Sequence, residues 1–124
     1  MRIIQYYQIK YEHNSWERSL EFFSQENALL KYQLSEIVDN NEQDHFLSIA
    51  EYFQNELLLK DETLNRLIKS VSEFDVELNK VPPTKKIPEN LICQQAKLRN
   101  DILQFEKKFL NLSNEFNKKM LQHT

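Results

Sequence analysis

Glu42 and His45 stand three residues apart, the Glu-x-x-His spacing that carboxylate-bridged di-iron bundles place on their inner faces. Such a centre takes two of these pairs and two further glutamates from four helices. This chain has the pair once. A homodimer would supply the second copy, and Glu17 or Glu21 could supply the remaining carboxylates. His13 and Glu17, four apart, also share one helical face and form a second two-ligand candidate. Both spacings have an ordinary explanation. An acid in the first turn of a helix is stabilised by the helix dipole, and a histidine nearby needs no metal. A metal-binding bundle using Glu42 and His45 is therefore the alternative reading, and no resident cofactor is expected.

The other routes to chemistry are sparse. Cys93 is the single cysteine, which excludes an intrachain disulfide, and no neighbour in sequence is a base that would activate its thiol. The chain contains no glycine, so it has no Gly-rich phosphate loop. Zinc-ligand spacing and a nucleophile–base pair are both missing. These residues point to a protein that is not an enzyme and that has no recognisable small-molecule substrate.

The elements that would position any site are helices. A chain whose turns demand positive φ normally uses glycine, and a chain of 124 residues with none has few turns. From Asn14, with Glu17 at capping-box spacing, Trp16, Leu20, Phe23, Asn27, Leu30, Leu34 and Ile37 follow one another at steps of four and three. Asp39-Asn40-Asn41 ends this segment, and Asn40 or Asn41 is placed to cap the next helix. The second seam reads Phe46, Ile49, Phe53, Leu57, Lys60, Leu64, Leu67, Val71, Phe74, Leu78, with an extra step of four that acts as a stutter at Phe53–Leu57. Lys60 falls on the seam and is expected to run its stem along the bundle edge. Pro82, Pro83 and Pro88 mark a loop, with Pro88 suited to open the last helix. The third seam is Leu91, Gln95, Leu98, Ile102, Phe105, Phe109, Leu112, Phe116, Lys119.

The first eleven residues read two ways. Ile3, Tyr7, Ile9 and Tyr11 alternate like a strand, whereas Ile4, Tyr7 and Tyr11 share a helical face. A helix from about residue 2 matches the length of its neighbours and is the favoured reading. The expected fold is all-α: an elongated antiparallel up-down-up three-helix bundle with coiled-coil-like seams, forming one domain. Its parts are helix 1 over about 2–39, helix 2 over about 42–80, a Pro-rich loop over 81–88 and helix 3 over about 88–123.

The runs Trp16-Glu17-Arg18-Ser19-Leu20-Glu21-Phe22-Phe23 and Ala50-Glu51-Tyr52-Phe53-Gln54-Asn55 resemble uncharacterised small helical proteins of Bacteroidetes. The resemblance covers about residues 14–70. It implies a bacterial origin and carries no functional residue.

Charge and apolar patterning bear on partners. Residues 1–83 hold 8 Lys/Arg against 15 Asp/Glu, or −7, and residues 84–124 hold 8 against 4, or +4. The basic segment complements the acidic remainder of its own chain. Nucleic-acid binding through Lys97, Lys107, Lys108, Lys118 and Lys119 is a further alternative and is not the expected one. The longest apolar runs, such as Leu57-Leu58-Leu59, are far too short to span a membrane, and no signal peptide is recognisable, so a cytoplasmic protein is expected. Off the first seam, Phe22, Leu29 and Tyr32 form a second apolar stripe, while Leu47, Tyr52, Leu58 and Leu59 widen the second helix. A lone bundle has little use for two apolar faces on one helix. The expectation is a helical protein–protein interaction or scaffold protein, most simply a homodimer, or one with a helical partner. Its interacting residues are expected to be Trp16, Phe22, Asn27, Leu29 and Tyr32. Asn27, polar on an apolar seam, has two readings: a buried residue that fixes register and partner number, or an edge position hydrated by water.

Overall fold

A computed structural model describes residues 2–40 and 44–122 of the chain. Three helices account for nearly all of them: α1 (Arg2–Asp39), α2 (Asp44–Asn79) and α3 (Glu89–Gln122). Among the described residues there is no strand and no positive φ, in keeping with a chain that lacks glycine. The three helices pack on one another as a bundle around a single hydrophobic core.

The first helix settles the ambiguity of the N-terminal segment. It runs without interruption from Arg2, so Asn14–Glu17 does not act as a capping box. Its buried line is Tyr6, Ile9, His13, Trp16, Leu20, Phe23, Asn27, Leu30 and Leu34, with Ile37 half-buried at the end. Successive steps of three and four hold along the whole helix. Ile4, Tyr7 and Tyr11, one face of the helix as expected, lie on its exposed side.

The second helix corrects the predicted stutter. Ala50 is buried and Ile49 only partly, so the buried line runs Phe46, Ala50, Phe53, Leu57, then Lys60, Leu64, Leu67, Val71, Phe74, Leu78. The steps now alternate four and three throughout. Ile49 lies on the flank of this line, packed against the core. On the third helix Lys119 is exposed and Met120 is buried in its stead, one step of four beyond Phe116.

Facing pairs give the directions. Lys10 meets Asp75 while Lys31 meets Asp61, so α1 and α2 run in opposite senses. Phe23 meets Phe105 and Phe109, and Glu12 meets Arg99, so α1 and α3 run in the same sense. The core between them is aromatic. Trp16 lies edge-on to Phe74 at 5.9 Å between centroids, and Phe53 lies edge-on to Phe116 at 5.4 Å. Each such side chain contributes about 1.5–3 kcal/mol on full burial.

The helix ends are closed locally. Asn40 Nδ2 donates to Glu36 O at 2.8 Å and so satisfies a terminal carbonyl of α1. Asn41 lies outside the described residues. The α2 end tightens through Lys80 N to Glu77 O and Val81 N to Leu78 O. A turn follows, with Lys85 N donating to Pro82 O at 2.9 Å. Pro88 precedes α3, and its carbonyl accepts from Leu91 N and Ile92 N, which makes it the capping residue. Ile87, in the loop, is fully buried and pins the connection to the core.

Candidate functional site

Most polar side chains that the bundle brings together lie where α1 meets α2 or α3. The first cluster centres on His13, which is 2% exposed. Its Nδ1 lies 3.4 Å from Asn14 Oδ1 and 3.7 Å from Asp75 Oδ1. Its Nε2 lies 3.0 Å from Glu17 Oε1, too poorly aligned for a hydrogen bond. Lys10 Nζ donates to Asp75 Oδ1 at 2.9 Å and also reaches Asn79. Burial raises the Asp75 pKa, but Lys10, the charge of His13 and the Asn79 amide outweigh it and hold the carboxyl below its ordinary value. The position is therefore a polar insertion in the seam, locked by α2. The His13–Glu17 spacing read from sequence does bring the two side chains together, with His13 inside and Glu17 at the surface.

The second cluster surrounds Asn27. Asn27 is fully buried; its Nδ2 donates to Leu57 O at 3.0 Å and to Asp61 Oδ1 at 2.7 Å, while its Oδ1 has no partner. Lys31 pairs with the other Asp61 oxygen. These bonds tie one level of α1 to one level of α2, and the burial of Asn27 rules out a water-hydrated edge position. The third cluster joins α1 to α3. Arg99 grips Glu12 with two donors at 2.7 and 2.8 Å, and Gln95 Nε2 donates to Glu12 Oε1 at 2.7 Å. Arg99 holds the Glu12 carboxyl below its usual range against the opposing effect of burial, and Glu12 raises Arg99 in turn.

No catalytic constellation emerges from these groups. Among the described residues, no three His, Cys, Asp or Glu side chains are arranged to hold a metal ion. Glu42 lies outside the described residues, so its geometry with His45 is not part of the structure; His45 itself is exposed near the start of α2. Cys93 is an exposed free thiol.

The five residues expected to meet a partner divide into two groups. Trp16 and Asn27 are consumed in the core, and neither presents its side chain to a partner of the folded chain. Phe22, Leu29 and Tyr32 are 53%, 47% and 62% exposed and lie on the outer side of α1. Glu36, one turn on, raises the Tyr32 phenol pKa. Ile3, Ile4, Tyr7 and Tyr11 add a second exposed apolar group at the start of the same helix. The sequence places Ile4, Tyr7 and Tyr11 on one helical face and Ile3 only in the strand-like alternation, and suggests no role for them. Their signal was visible: the core line continues through Tyr6 and Ile9, so its opposite side must be solvent.

The exposed side of α1 between Ile3 and Glu36 therefore carries seven large apolar side chains. The only charges among its exposed residues are Glu17, Arg18, Glu21 and Glu36. The exposed side of α3 has the reverse balance, three large apolar residues (Leu103, Leu110, Leu121) against eight charges. No helix among the described residues is long and apolar enough to cross a membrane. No protein-family model, curated protein or solved structure matches this chain.

Proposed function

We propose that this is a non-enzymatic helical interaction protein that self-associates through the outer side of α1. The carrying observation is that α1 spends its whole seam on its own bundle and still exposes Ile4, Tyr7, Tyr11, Phe22, Leu29 and Tyr32 on the far side. Patches of this kind mark interaction sites.

A second copy fits the surface by its arrangement. The two apolar groups lie towards the two ends of the helix, with Arg18 and Glu21 between them. A two-fold axis near residues 19 and 20 sets each Tyr7–Tyr11 group on the partner's Leu29–Tyr32 group. The same axis brings Arg18 opposite the partner's Glu21, twice. Self-complementarity of this kind is what a two-fold interface requires. Six large side chains, each half-exposed, offer roughly 600 Å² per chain. A stable interface buries about 800 Å² per partner, so the stripe supplies most of one and the polar rim the remainder.

Sedimentation tests the reading. The protein should be a dimer at micromolar concentration. Phe22→Glu with Leu29→Glu should give a monomer that keeps its helical circular dichroism, because neither side chain supports the core. A native chain that stays monomeric through that range removes self-association from consideration.

A further inference from the structure

We propose that the groove between α2 and α3 binds a linear phosphate chain, gripping it through the phosphates alone. The groove has a volume of about 640 Å³ and is walled by Lys60, Arg66 and Lys69 from α2 and Lys97 and Lys108 from α3. Among the described residues none of these five cations forms an ion pair; Arg66 Nη2 only reaches Thr63 Oγ1 at 3.3 Å. Two acids, Glu73 and Asp101, share the groove and will repel an anion, leaving a local charge of 5 − 2 = +3. The whole chain carries −3, so everything outside the groove sums to −6. The groove is therefore a local concentration of positive charge on an acidic protein, a setting that favours a polyanion.

The geometry selects among anions. From Lys60 to Glu73 the α2 wall is fourteen residues long, roughly 20 Å, which suits an extended chain better than one phosphate. Ser70 and Gln104 add neutral donors along it. The one aromatic residue lining the groove, Phe105, is buried in the core. Single-strand binders stack bases on exposed aromatic rings, and none is offered here. Phosphate contacts alone remain. Lys60 adds a seam-level reason: it is the sole charged residue on the α2 core line, half-buried and without a carboxylate partner.

The test uses fluorescence anisotropy of end-labelled linear inorganic polyphosphate with the full chain. Three net contacts predict a log–log salt slope of about −2, or roughly a twenty-fold loss of affinity between 50 and 200 mM salt. Lys97→Gln with Lys108→Gln should weaken binding about tenfold or more and flatten the slope. Arg66→Gln with Lys69→Gln provides the same readout from the opposite wall. Lys107→Gln with Lys118→Gln removes the same charge from α3 outside the groove and should change affinity by no more than about twofold. Circular dichroism checks the fold of each variant. Equal losses from the groove and control pairs, or no binding at 50 mM salt, overturn the proposal. So does an oligothymidylate of equal charge that binds far more tightly than polyphosphate, since bases would then contribute.

Discussion

Asn27 reaches Asp61 Oδ1 at 2.7 Å from the middle of a helix line whose immediate neighbours, Phe23 and Leu30, are both buried and apolar. The asparagine spends its two N–H donors on Leu57 O and Asp61 and leaves its own carbonyl oxygen buried without a partner. An unsatisfied buried acceptor costs about 1–3 kcal/mol, so this residue specifies alignment at the expense of stability.

Asn27→Leu should therefore be at least as stable as the wild-type chain. The leucine has the same number of side-chain heavy atoms and the same branching, and Asp61 keeps Lys31. Asn27→Ala should lose about 1–3 kcal/mol, since it opens a void and gains nothing. Urea unfolding followed by circular dichroism measures both. A Leu variant more than about 2 kcal/mol below wild type would show the amide bonds to be worth more than its stranded oxygen costs.

Trp16 and Phe22 separate core from surface on one helix. Trp16 is packed against Phe74, whereas Phe22 meets the ring of its neighbour Phe23. Phe74→Ala should cost about 3–5 kcal/mol and shift Trp16 fluorescence to the red. Phe22→Ala should change the stability of the isolated bundle by no more than about 0.5 kcal/mol. A large loss from Phe22→Ala in a sample shown to be monomeric contradicts its assignment to the surface.

These comparisons show what the sequence could and could not reveal. The seams were legible because buried positions are filled mostly by apolar residues at steps of three and four. They blurred wherever the residue type was neutral to burial. Hydrophobicity alone favours Ile49 over Ala50 at that step of the seam, yet Ala50 is the buried one. His13 and Tyr6 were missed as seam positions because their polar atoms obscure the period. Met120 lost to Lys119 because a step of three matched the preceding pattern. The groove between α2 and α3 was not legible at all: its cations come from two helices far apart in sequence, and only packing brings Lys69 and Lys108 to one wall pair.

Glu12 and Arg99 predict an acid dependence. The fold holds the Glu12 carboxyl below its usual pKa, as it does Asp75, so the folded chain binds fewer protons than the unfolded chain near pH 4. Their stabilisation is complete above the ordinary carboxylate range and is lost as pH falls through the lower folded values. Both groups are partly solvated, so each contributes no more than roughly 1 kcal/mol. Arg99→Gln should lower stability at pH 7 and should have a smaller effect at pH 2. An Arg99→Gln deficit that is unchanged between those pH values would separate Arg99 from the Glu12 titration.

The loop supplies the last expectation. Lys85 and Lys86 are exposed, whereas Ile87 beside them is fully buried in the core cluster. Trypsin should therefore nick after Lys85 or Lys86 without freeing the C-terminal piece. That piece would still hold Leu91, Leu98, Ile102, Phe105, Phe109, Leu112 and Phe116 in the core, an apolar contact far larger than the loop closure that cleavage removes. Both fragments should elute together in gel filtration and separate only in denaturant. Ile87→Ala should cost about 2–4 kcal/mol and quicken cleavage, because the anchor beside the cut would be gone. Fragments that part in native buffer would mean that α3 is held chiefly by its covalent link, and the three-helix core described above could not stand.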